Sequence, residues 1–199
     1  MPLVGAMNRP TRSHGFTLVE LMITISIIGI LGLLVVPGIL AYVPAYRVNS
    51  AAKALATELS LARMRAISRN HVHHVAFYPA TQEIKVWEDD DNDWSTANTL
   101  VKTVALATAF PNVSIDYNSV TGVDGAAIAQ EAEFGATAAP VRATFLPNGL
   151  MADPGVLYLL PVSDKGRRDD NMRAIQASRA GQVARLRYDD TLVPPWKEY

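Results

Sequence analysis

The chain has 199 residues, no cysteine, 49% hydrophobic residues and a formal net charge of −1 from 18 basic and 19 acidic side chains. That length supports one domain with a sizeable core plus an appendage, and the missing cysteine excludes a disulfide scaffold, a thiol nucleophile and a thiolate zinc site. The hydrophobic content excludes disorder, and the near-neutral total argues against a protein that coats nucleic acid by charge alone.

Residues 1–15 hold Arg9 and Arg12 and no acid. From Phe16 to Val36 every residue is large and apolar except Thr17, Glu20, Thr24, Ser26, Gly29 and Gly32. As a helix this run is about 30 Å long, the thickness of bilayer hydrocarbon. A membrane-spanning segment is therefore expected, with the basic flank holding the N-terminus in the cytoplasm, because the next charge is Arg47. A cleaved secretory signal has a shorter apolar core, of about 7–15 residues. Neither that reading nor a plain anchor explains Glu20, since a carboxylate in hydrocarbon needs a partner. Pro37 and Pro44 are expected to kink or loosen the helix.

Residues 37–70 read as an amphipathic continuation, with Val48, Ala52, Leu55, Leu59, Ala62 and Ala66 at helical spacing. Beyond Asn70 the pattern turns to alternation. Val72 to Tyr78 and Glu83 to Glu88 read as a hairpin across Pro79–Gln82, and Val113 to Tyr117, Val141 to Leu146 and Val156 to Leu160 as further strands. Ala174 to Arg179 and Gln182 to Tyr188 read as a second hairpin about Ala180-Gly181. Segment 118–140 is rich in alanine, glycine and small polar residues and reads as a surface loop insertion. The tail from Asp189 to Tyr199 either packs back through Trp196 or stays free. The expected class is α+β: a long N-terminal helix laid on an antiparallel β-rich domain over residues 71–199.

His14-Gly15-Phe16-Thr17-Leu18-Val19-Glu20 resembles the processing site of type IV pilins and type II secretion pseudopilins. Leu61 to Asn70 (LARMRAISRN), Thr144 to Gly149 (TFLPNG) and Met172 to Val183 resemble segments of the GspH/FimT branch of minor pilins and pseudopilins. The resemblance implies a leader of residues 1–15, prepilin-peptidase cleavage between Gly15 and Phe16, and N-methylation of Phe16. It implies that segment 16–36 packs in a filament core, where Glu20 meets the Phe16 amine of a neighbouring subunit and Pro37 marks the helix's bend. The partners implied are the peptidase, other pilins or pseudopilins and inner-membrane lipid, with the globular domain periplasmic or on the filament, at or near its tip. Met7 as the start would shorten the leader and keep the same site.

A DNA-binding minor pilin is the alternative. Its candidate residues are Arg173, Arg179, Arg185 and Arg187, although Gln182 replaces the first arginine of the G-R-x-R motif of DNA-binding relatives. A local basic stripe attracts phosphates, but Asp164, Asp169, Asp170, Asp189 and Asp190 dilute this one. In the run Glu88 to Asp93, the residues Asp89, Asp91 and Asp93 are the candidates for calcium. The run lacks the glycine and distal glutamate of an EF-hand and reads instead as a solvated hairpin tip. His71, His73 and His74 read as a water-exposed helix-to-strand junction, so no metal or other cofactor is expected. Nor is an enzyme: no nucleophile elbow, phosphate loop or zinc-protease helix motif occurs.

Overall fold

The computed structural model describes residues 15–199 apart from 92, 96–97 and 136–139, and the backbone alone at 34–37 and 41. Met1 to His14, most of the expected leader, and the side chain of Pro37 lie outside the described residues. The chain divides into two units, Met1–Ala41 and Tyr42–Tyr199.

The first unit consists of the start of helix α1, Leu18–Arg69. An 18-residue window of this helix has a mean hydropathy of 2.6 and none of it is buried. The helix is long and apolar enough to cross a membrane. Helical structure runs unbroken through Pro37 and Pro44 instead of melting there. Each proline removes one main-chain donor, and the helical turns on either side persist.

The second unit contains the rest of α1 and two antiparallel sheets. One sheet has the order β3-β2-β1-β6, formed by β1 Val72–Tyr78, β2 Glu83–Asp89, β3 Thr99–Ala105 and β6 Val141–Phe145. The other runs β10-β9-β8-β7-β4, with β5 also paired to β7. Its strands are β4 Val113–Ile115, β5 Ala132–Phe134, β7 Gly155–Pro161, β8 Arg173–Ala177, β9 Val183–Tyr188 and β10 Trp196–Glu198. A four-residue helix, α2 Leu106–Ala109, follows β3.

The expected helix face is the observed one. Val48, Ala52, Leu55, Leu59, Ala62 and Ala66 are all buried, joined by Ala51 and Ala56. The five alanines among them let the backbone of α1 lie close to the sheets. The helix covers Val75, Phe77, Ile84 and Val86 of the first sheet and Leu157, Leu159 and Ile175 of the second, in one core.

A second core lies on the opposite face of the larger sheet, around Val156, Tyr158, Leu160, Met172, Ala174 and Trp196. Segment 118–140, read as a surface loop, is in part core, with Ile128 in this second core and Ala132 and Phe134 in the first. Ile128, Ala132 and Phe134 are buried, and β5 pairs with β7 from Ala132↔Leu157 to Phe134↔Gly155. The tail packs back as well. The Trp196 indole N–H donates to the Thr121 carbonyl at 2.9 Å, and its ring meets Tyr158 and Tyr188 at 5.7 and 5.5 Å. Replacing Trp196 by alanine is expected to cost about 3–5 kcal/mol and to loosen both the tail and the insertion. Thermal melting of the variant, with proteolysis mapping the cuts to those two segments, tests this.

Candidate processing and assembly site

At the start of the described chain, Gly15, Phe16 and Thr17 precede the helix and Phe16 is 82% exposed. Thr17 caps α1: its Oγ1 accepts the Glu20 N–H at 3.2 Å, and its carbonyl accepts the Leu21 N–H at 3.2 Å. The spacing Thr-x-x-Glu is that of a capping box. It starts the helix two residues after Phe16, so the Gly15–Phe16 peptide lies outside the helix and is exposed. Glu20 is exposed, at the end of the helix where the macrodipole favours a negative charge. Among the described residues its carboxylate has no ion-pair partner within the chain.

Three distant segments meet at the other end of α1. The Arg63 Nε–H donates to the Gly149 carbonyl at 2.9 Å. Gly149 ends the turn after β6 with φ +79°, and a Cβ there would lie 2.8 Å from Ile67 Cδ1. Gly181, at φ +75° in the β8–β9 turn, packs against the Gly149 carbonyl and the Arg63 side chain so closely that a Cβ has no room. The Met151 N–H closes the junction on the Arg179 carbonyl at 3.0 Å. The three segments LARMRAISRN, TFLPNG and RAIQASRAGQV thus build one structural knot.

The sequence model of the type II transport protein GspH matches residues 51–181. The chain belongs to the GspH family. The model of the prokaryotic N-terminal methylation motif matches residues 10–36. The structure is similar to the minor pseudopilin EpsH from the type 2 secretion system of Vibrio cholerae, at 18% identity over 71% of this chain and 96% of that one, with a TM-score of 0.48. It is also similar to the type IV minor pilin FimU of Pseudomonas aeruginosa, at 14% identity over 68% of this chain and 85% of that one, with a TM-score of 0.45. Among curated proteins no significant match is found. The GspH family is one of type II transport proteins.

In this GspH-family chain the basic candidates do not form one patch. Arg173 is buried, and its guanidinium bonds Asn49 on α1 and the carbonyls of Asp170 and Met172. Arg185 and Arg173 both lie over the Tyr199 ring, at 5.0 and 5.7 Å. Arg187 is exposed and sits opposite Arg173 in the β8–β9 register, 3.9 Å from Asp189. Arg179 stands in the turn at the far end of the hairpin, roughly 20 Å away at strand rise. In the cleft of about 680 Å³ beside them, Arg167, Arg168, Arg173 and Arg187 share the walls with Asp169, Asp170, Asp189 and Asp190. That balance of charge gives phosphates no net attraction.

The acidic run and the histidines are also corrected. Glu88 and Asp89 are buried rather than solvated, and so are His73 and His74. Because β1 and β2 pair His73↔Glu88 and His74↔Trp87, alternate residues leave on opposite faces. His73 and Glu88 face α1. On the other face, His74 Nε2 meets Asp89 Oδ2 at 2.9 Å, and its Nδ1 meets Thr144 Oγ1 at 3.0 Å. Burial pushes both imidazoles below their usual pKa, against the pull of Glu88 on His73 and of Asp89 on His74. The calcium candidates do not converge. Asp89, Asp91 and Asp93 instead accept, in turn, the N–H groups of Asp91, Asp93 and Ser95 at 3.2, 3.1 and 2.9 Å, a run of Asx turns.

Proposed function

We propose that this protein is a minor pseudopilin or pilin subunit that acts by assembly. A peptidase removes residues 1–15 on the cytoplasmic side, and Phe16 becomes the N-methylated N-terminus. Segment 16–36 stores the subunit in the inner membrane as a single pass, with the β-rich domain on the periplasmic side. Extraction then packs segment 16–36 among its neighbours in the filament, where Glu20 compensates a neighbour's Phe16 amine. The subunit sits at or near the filament tip, as the minor-subunit class implies. The observation that carries this reading is the capped, exposed Gly15-Phe16-Thr17-Leu18-Val19-Glu20 site, opening a helix whose apolar side chains are open on every side. Such a surface is stable only in lipid or against other helices. Mass spectrometry of the mature chain is expected to give an N-terminus at Phe16 carrying one methyl group; any other N-terminus refutes the processing step.

The DNA-binding alternative has no arrangement in its favour, since its four arginines are split between a buried contact, a ring stack, an acid-lined cleft and a distant turn. Gel-shift titration of the full chain in detergent is expected to show no retention of DNA at low salt. Binding that falls steeply with salt and disappears in an Arg185→Ala, Arg187→Ala variant would restore that reading.

A further inference from the structure

The junction between α1 and β1 carries a group of side chains that assembly does not use. His71 Nδ1 lies 3.0 Å from Asp90 Oδ1 and 3.3 Å from Glu88 Oε1. The three ligand atoms lie within 4.8 Å of one another. A tetrahedral zinc ion with bonds of about 2.0–2.2 Å holds its ligand atoms roughly 3.3 Å apart. The group therefore closes around such an ion with little movement.

A second observation points the same way. His73 is fully buried, and its Nδ1 lies 3.3 Å from the His71 carbonyl. A carbonyl only accepts, so Nδ1 carries the proton and the Nε2 of the neutral ring presents a lone pair. Nε2 is buried with no hydrogen-bond partner. It lies 4.0 Å from Glu88 Oε2, which is also an acceptor. Glu88 Oε2 already accepts from Arg69, so the buried His73 lone pair is the one left without a donor, and a cation-bound water would supply it.

We propose that His71, Glu88 and Asp90 form a binding site for a divalent transition cation of the zinc type. A metal-bound water fills the fourth position and donates to His73 Nε2. One imidazole with two carboxylates suits zinc, whereas calcium takes oxygen ligands alone. Glu88 is already paired with Arg69, a side chain 54% exposed. Arg69 is thus the built-in competitor: it neutralises Glu88 when metal is scarce and moves toward water when the ion binds. The site ties the end of α1, where Asn70 turns at φ +59°, to the end of β2. Metal occupancy therefore stiffens the seam between helix and sheet.

The test is calorimetric titration of the full chain in detergent, stripped with chelator, with zinc chloride alone. One saturable zinc site per chain is expected. Asp90→Asn and His71→Ala should each weaken it by about tenfold or more, and Arg69→Gln should tighten it several-fold. Excess calcium chloride should leave the zinc isotherm unchanged. Asp90 and His71 are substantially exposed, at 68% and 41%, so both variants are expected to fold, and a melting curve in chelator checks that they do. Absence of saturable zinc binding in the parent chain overturns the proposal. So does zinc binding that is unchanged in both Asp90→Asn and His71→Ala, since the ion then sits elsewhere. Displacement of zinc by calcium overturns the assignment of metal class.

Discussion

Replacing Glu20 by glutamine is expected to abolish incorporation into the filament while leaving the chain inserted in the membrane. The structure gives Glu20 two separable roles. One is local: as the third residue of α1 it donates its backbone N–H to the Thr17 cap, and its charge complements the helix N-terminus. The other is the proposed pairing with the cationic amine that cleavage exposes on a neighbour's Phe16. Glutamine keeps the polar side chain at the third helical position and removes only the charge. Losing a cap costs about 1 kcal/mol, too little to unseat a helix with this much apolar surface. An amine left without its counter-charge in hydrocarbon costs a few kcal/mol per subunit, and every subunit contact repeats that cost. Glu20→Gln and Glu20→Ala should therefore fail alike. Thr17→Val, which loses the cap and keeps the charge, should assemble. Membrane fractionation reports insertion, and recovery in sheared filaments reports incorporation. Normal recovery of Glu20→Gln would leave only the capping role.

Much of this fold is legible in the sequence because its signals are local. The face from Val48 to Ala66 repeats at helical spacing, and the β1–β2 and β8–β9 hairpins are each closed by a short turn between alternating runs. What is not legible depends on partners far along the chain. Phe134 reads as an isolated aromatic in a small-residue loop until β7 lies beside it. Val-Leu-Tyr-Leu-Leu from Val156 carries the missing signal, because a continuous apolar run marks a strand buried on both faces. Something had to cover the face bearing Tyr158, and the insertion and Trp196 do so. Strand β3 escapes because Thr-Leu-Val-Lys-Thr-Val-Ala is a largely exposed edge with little alternation. His73, His74 and Arg173 are polar types that read as surface. Each is buried where the fold supplies at least one partner: the His71 carbonyl meets His73 Nδ1, β2 provides Asp89 for His74, and α1 provides Asn49 for Arg173. The processing site is legible as a motif, but the Thr17–Glu20 cap that starts the helix just after it emerges only with the backbone.

The largest loss of stability is expected at Gly181, where two costs coincide. Its φ of +75° is a conformation that side-chain-bearing residues adopt with strain. A Cβ would also run into the Gly149 carbonyl, which is backbone and already holds the Arg63 guanidinium. Gly166 provides the comparison, because its φ is +67° and nothing lies within 4 Å of its would-be Cβ. Gly166→Ala isolates the dihedral cost, about 1 kcal/mol. Gly181→Ala adds the steric cost, about 1–3 kcal/mol for overpacking, together with the loss of the Arg63 bond at about 1 kcal/mol. A total of roughly 3–5 kcal/mol lies near the whole stability of many domains, so Gly181→Ala should melt far below Gly166→Ala in the same detergent. Arg63→Ala separates the remaining terms. It removes one contact to the Cβ but not the Gly149 carbonyl, so Gly181→Ala should cost less in the Arg63→Ala background yet stay clearly destabilising. Equal melting temperatures for Gly181→Ala and Gly166→Ala would mean that the knot yields freely, and that the three family segments meet there without depending on close approach.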